Sequence, residues 1–343
     1  MRWLARAPRV LGVALAGLAV TGCPHPEEVV TPTGAGKELA AEQIDRDPLA
    51  LLPGGAFGLA VVDLQAVYAS QFGQKLLGVL ESHTPLPPSA GFDPKRDLTS
   101  LAVGVYSMSG ANVVVIATGK FDPAAIEQAA GSTEGTPLGA PVVASSYAGR
   151  KLYTARNLGF VVLTPRTVLL GDETGIRRAL DRIKEGRVSR RVPGWMEALL
   201  KTPNVPLVLG FNLRGQPLTE SAREQLPFLQ GLETARMLGN FQPPGMNVAG
   251  TLSYESETAA QAGAANVTAL RELLKTYGFL MSLLGVSQPF QKLDARAQGS
   301  DAQFVAELDG RALDSLIDKA SAYLGVPFQP KYIDATTTPS VGE

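Results

Sequence analysis

The chain has 343 residues with 31 basic and 32 acidic side chains, a formal net charge of −1. That length suits two average domains, each with a core of its own. Aromatic residues make up 6% of the chain and there is no surplus of cations, which excludes general nucleic-acid binding with its need for basic surface and stacking rings.

In chain order, the first predicted element is a secretory signal over 1–22. MRWLARAPR is basic, VLGVALAGLAV is an apolar run of 11 residues, and small residues precede the cut site. The run is well short of the 18 or so residues that span a bilayer as a helix. Leu18-Ala19-Val20-Thr21-Gly22-Cys23 resembles the lipobox of bacterial lipoproteins. The resemblance implies cleavage before Cys23, a diacylglyceryl group on its thiol and usually a further acyl chain, such as palmitate, on its amino group. Two or three chains anchor stably where one binds reversibly. Cys23 is the sole cysteine, so an intrachain disulfide is excluded and lipidation is the role left for it. Pro24, where some inner-membrane lipoproteins carry Asp, favours the outer membrane within the cell envelope. Removing 1–22 takes away Arg2, Arg6 and Arg9 and no acid, leaving 28 basic against 32 acidic side chains and a balance of −4.

Residues 23–47, rich in Pro, Gly and charge, are expected to form a lipidated tether. Two α+β domains are expected next, over 48–192 and 193–326, with the boundary in the proline cluster around 187–206. A loose tail is expected over 327–343. A unit of apolar strand, polar turn and amphipathic helix recurs along the body. GLAVVDL leads into QAVYASQFGQKLLGVLE, NVVVIATGKFDP into AAIEQAA, and TVLLGDE into TGIRRALDRIKEG. After Pro193 the pattern returns in VPLVLGFNL, NVAGTLSYES and AQFVAELDG with the helices that follow them.

Asp63, Asp122, Asp172 and Asp309 sit at strand-to-helix turns. Capping of the unpaired N–H groups of the first helical turn accounts for all four. Short turns, Ser-Gly in one case and Gly299-Ser300-Asp301 in another, make hairpins of 98–119 and 291–309. Each hairpin leads into a capped helix, so 98–130 and 291–322 read as one module used twice. The fold class is α+β: duplicated hairpin-plus-helix modules, mostly antiparallel sheets, helices packed on one face. The body also resembles, loosely, duplicated α+β lipoproteins of delta-proteobacterial type. Gly119-Lys120-Phe121-Asp122, Tyr147-Ala148-Gly149-Arg150-Lys151-Leu152-Tyr153 and Leu169-Leu170-Gly171-Asp172 carry that resemblance, which implies a fold and no activity.

Catalytic motifs are lacking. His25 and His83 are the only histidines, one in the tether and one in a Pro-rich loop. There is no G-x-S-x-G, S-x-x-K or H-E-x-x-H. TGAGKE at 33–38 has Glu38 where a phosphate loop needs Ser or Thr. A carboxylate pair for glycoside hydrolysis stays open in principle, although aromatics for a sugar cleft are scarce. A non-enzymatic body with no cofactor and no metal is therefore expected. Arg177, Arg178, Arg182, Lys184, Arg187, Arg190 and Arg191 form a basic cluster opposed by Asp181 and Glu185. It reads as a solvated face, or as a patch for anionic lipid, glycan or an envelope protein. The long apolar helix expected over 259–284 reads as core, or as the wall of a lipid-sized cavity. Two functions follow: a membrane-anchored binding or scaffold protein, or a carrier of a lipid or other apolar ligand.

Overall fold

The computed structural model describes residues 39–314 except 72, 83, 108–111, 133, 157, 215–219 and 277–288. Cys23, both histidines and the tail from 327 lie outside the described residues. The N-terminal half holds α1 (Ala41–Arg46), β1 (Gly58–Asp63), α2 (Leu64–Tyr68), α3 (Gly73–Ser82), α4 (Pro94–Asp97), β2 (Leu98–Val105), β3 (Val113–Gly119), α5 (Pro123–Ala130), β4 (Val143–Tyr147), β5 (Arg150–Ala155), β6 (Leu158–Thr164), β7 (Thr167–Gly171) and α6 (Glu173–Lys184). The C-terminal half holds α7 (Gly194–Leu200), β8 (Leu207–Asn212), α8 (Glu220–Gln225), β9 (Leu232–Asn240), β10 (Gly245–Tyr254), α9 (Glu257–Thr276), β11 (Phe290–Gln298) and β12 (Asp301–Asp309), with a helical turn at 310–314.

The class is α+β, as expected. All strands of the described residues join one antiparallel sheet in the order β11-β12-β10-β9-β8-β1-β2-β3-β7-β6-β5-β4. The expected division into domains at 192/193 does not interrupt it. β1 pairs with β2 on one side and with β8 on the other, Val61 facing Val208, and the described residues of both halves fall in one compact unit. VPLVLGFNL is apolar on both its faces, so it is stable only inside a sheet with neighbours on each side.

The duplication is real in topology but phased differently from the sequence expectation. Outward from the β1·β8 seam the halves run β1-β2-β3-β7-β6 and β8-β9-β10-β12-β11. In that order β2-β3-α5 corresponds to β9-β10-α9, and 291–314 corresponds to β6-β7-α6. The β4-β5 hairpin belongs to the N-terminal half alone. Local pattern cannot fix this phase, because hairpin-then-helix occurs at each of these places.

The helices also depart from the expected single face. α1, α6 and α7 pack on the front of the sheet with Leu59, Val114, Ile116, Val161 and Leu169. α2, α3 and α5 pack on the back with Ala117, Phe160 and Val168. In the C-terminal half α9 covers the back, over Leu252, Leu293 and Ala306. β3 (VVVIATG) and β6 (LGFVVLT) are apolar at nearly every position, as strands covered on both faces are. β11 (FQKLDARAQ) and β12 (DAQFVAELD) alternate, as strands covered on one face do.

The capping reading of the four aspartates agrees with the geometry. Asp63 accepts from the N–H groups of Gln65 and Ala66, Asp122 from Ala124 and Ala125, Asp172 from Gly175, and Asp309 from Arg311 and Ala312, at 2.9–3.3 Å. The tether ends earlier than expected. α1 is docked on the body by Ile44, 1% exposed, and by Asp45, whose Oδ1 accepts from Thr164 Oγ1 at 2.5 Å and Thr167 Oγ1 at 2.7 Å. One buried isoleucine contributes about 1.5–3 kcal/mol, yet a helix of 6 residues is too short to show a period in sequence.

Candidate functional site

The back face of the N-terminal half forms an apolar cavity of about 250 Å³, partly open to solvent. Its floor is Leu101 from β2, Val115 and Ala117 from β3, Val168 and Leu170 from β7, and Leu158 and Phe160 from β6; Leu80 of α3, Phe92, Phe121 and Ile126 of α5 wall it. Among these large side chains, Ala117 of β3 is the smallest in the lining, and Ile126 is the residue α5 turns toward it.

No lining residue carries a titratable side chain. Thr84, the one hydroxyl, donates to the carbonyl of Leu80 at 2.8 Å, so it offers little polarity to an occupant. An apolar lining of this kind favours apolar guests. Its volume is close to the lower end of ligand pockets, roughly 300 Å³.

A polar recess adjoins the cavity, sharing Phe92, Phe121 and Ile126 with it and adding Arg96, Asp97, Lys120 and Asp122. The rings of Phe92 and Phe121 stack with centroids 5.9 Å apart. Arg96, Asp97 and Asp122 at this rim are held in fixed partnerships. Arg96 grips Asp97 through Nε at 2.7 Å and Nη2 at 2.6 Å. That pairing, helped by the N–H of Asp93 and the charge of Lys120, holds the Asp97 carboxyl below the usual carboxylate range. Tyr68 donates to the Pro94 carbonyl at 3.2 Å. Burial, with Asp93 and Glu81 adding to it, pushes the pKa of this phenol up to about 12. The arrangement can hold hydrocarbon; it presents no acid, base or nucleophile to the cavity.

The sequence placed its candidate cavity elsewhere, under 259–284. There the described part of α9 is closely packed. Ala260, Ala264 and Val267 lie on Leu252 and Tyr254, and a Cβ on Gly263 would come within 2.2 Å of the Tyr254 ring. Residues 277–284 lie outside the described residues. Nothing in the local pattern of β3 or α5 marks a cavity; it depends on which residues the fold brings together.

The basic cluster is largely engaged in holding the front face together. Arg182 is 4% exposed, a core residue rather than part of a surface patch, and donates to the Ser189 carbonyl at 3.1 Å. Arg177 pairs with Glu173 and lies over the Tyr147 ring. Arg178 donates to the Gly54 carbonyl at 3.2 Å and lies over Tyr106. Arg187 pairs with Glu185, and Arg190 with Asp47 at 2.6 Å. Lys184 and Arg191 are exposed. Among the described residues, no group of three His, Cys, Asp or Glu side chains is placed to hold a metal, and no helix is long and apolar enough to cross a membrane.

No family model and no curated protein matches the chain. Among solved structures it is similar to TP0453 in crystal form I, with 13% identity over 80% of this chain and 97% of that one and a TM-score of 0.48. Crystal form III of TP0453 gives 12% identity over 80% and 98%, with a TM-score of 0.46. At this identity the likeness says nothing of activity.

Proposed function

We propose that this chain is an envelope lipoprotein, held on the membrane through lipid on Cys23, whose non-enzymatic body shelters an apolar ligand. The observation that carries the ligand reading is the back-face cavity, lined by hydrocarbon and without a titratable group. Of the two functions open to the sequence, it favours the carrier over the scaffold. The lipobox-like segment supports the anchor, and Pro24 favours the outer membrane. A linear acyl segment or a small apolar molecule suits the volume better than a whole diacyl lipid.

One observation favours the scaffold as a second reading. On the front of the C-terminal half, Leu238, Ala249 and Val305 form a row across three strands. Val305 is 41% exposed. Arg236, Lys292, Asp294, Arg296 and Gln303 surround this row, a mixture that fits a protein surface.

Two variants separate the parts of the proposal. Ala117→Leu places a larger side chain in the cavity. Protein purified from membranes and extracted for mass spectrometry is expected to release an apolar compound from the wild type and at least tenfold less from Ala117→Leu. Equal release from both sinks the cavity reading. Cys23→Ser is expected to abolish metabolic labelling with a fatty acid and membrane retention; unchanged labelling sinks the anchor.

A further inference from the structure

Among the described residues, the two edges of the sheet, β11 and β4, are built differently. β11 is guarded: Lys292, Asp294 and Arg296 line it and its register is broken between Phe290 and Lys292, devices that keep edges from pairing with other chains. β4, VASSY, has no charge, no proline and no bulge. Residues 143–146 are exposed, Val143 at 63%. We infer that β4 is a pairing edge for a second copy of this chain, joined antiparallel about a two-fold axis through Ser145.

The register follows from the hairpin. Tyr147 and Arg150 flank a two-residue turn with positive φ at both Ala148 and Gly149, the I′ geometry in which the flanking residues exchange hydrogen bonds. Bonded pairs alternate along the strand, so residues 147, 145 and 143 face β5, while Ala144 and Ser146 aim their N–H and C=O groups outward. Centring on Ser145 sets Ala144 of each copy against Ser146 of the other, and four backbone hydrogen bonds form. The closer, non-bonded pairs are then Ser145 with Ser145 and Val143 with Tyr147, small against small and β-branched against aromatic. No like charges meet. Within the chain the β1·β8 seam already joins two antiparallel edges of equivalent halves in this way, so the pairing continues the sheet as the fold itself does.

Non-bonded antiparallel partners lie within disulfide reach. In the full chain carrying Cys23→Ser, Ser145→Cys is expected to cross-link on mild oxidation at least tenfold faster than Ser146→Cys, which faces Ala144 of the other copy. Absent cross-linking, or less than a tenfold preference, overturns the inference. Sedimentation of the Cys23→Ser chain provides a second measure. The dimer fraction is expected to rise with concentration and to be lost in Ser145→Lys, whose charges would face each other, while the circular dichroism stays that of the parent. A monomer at every concentration, or a dimer indifferent to Ser145→Lys, overturns it equally.

Discussion

The two halves share one strand order and differ in what fills it. In the N-terminal half, strands apolar on both faces draw helices to both sides of the sheet, and large and small residues meet unevenly, leaving a cavity behind β3 and β7. In the C-terminal half, strands alternate, and α9 sets Ala260, Gly263 and Ala264 down on the sheet at close range. One topology thus yields a hollow layer and a dense one. Side-chain volume, rather than chain path, decides where a ligand fits.

The difference can be tested by changing volume on each side. Phe160→Ala should have the largest effect. The ring is 1% exposed and stacked on Tyr153 at 5.1 Å, and truncating a core phenylalanine costs about 3–5 kcal/mol. It also enlarges the existing cavity, so an added apolar ligand should recover part of the loss. Denaturant titration with and without a small hydrocarbon checks both, and a loss under 1 kcal/mol would mean that the layer already yields.

Gly263→Ala is the complementary change. A single methyl has no room beside Tyr254, which is 2% exposed and held by a hydrogen bond to the Phe228 carbonyl at 2.8 Å. Overpacking should cost about 1–3 kcal/mol. Neutral thermal denaturation would show the C-terminal layer to be as loose as the other.

The smallest effect tests what the halves have in common. Asp122 and Asp309 cap the same kind of strand-to-helix turn at different places in the two halves, each through one oxygen to two N–H groups. Either changed to Ala should cost about 1 kcal/mol, and either changed to Asn much less. At Asp309 the hydrogen bond from Gln291 and the two backbone donors lower the carboxyl pKa. This contribution is present above the unfolded carboxylate pKa and fades as pH falls through the folded one. If Asn is as harmful as Ala at both positions, the charge and not the cap geometry is at work.

Much of the fold was legible because it is written locally. The strands β1, β2, β3, β7, β8, β10, β11 and β12, the four capping aspartates and the turn at Gly299-Ser300 each depend on residues within one short window; β4, β5, β6 and β9 were not read from the sequence. The contrast between VVVIATG and FQKLDARAQ even records which half is covered on both faces. What was not legible depends on distant partners. The β1·β8 seam joins Val61 to Val208, and neither segment names the other. Arg182 looks like its neighbours in a basic run until Ser189 and Ala50 close over it. The cavity escaped for the same reason: Ala117 and Ile126 become its lining only when β3, α5 and β7 are brought together.

The seam also sets an order of events during folding. Most pairings in either half close short loops and can form quickly, but β1 must wait for β8, which leaves the ribosome after the whole N-terminal half. Until then β1 has β2 on one side only, and GLAVVD offers a bare apolar edge. Slow, long-range strand pairing of this kind is where unfinished chains aggregate. A substitution that weakens β8, such as one at Val208, should therefore lower the yield of folded protein more than it lowers the stability of the molecules that finish folding.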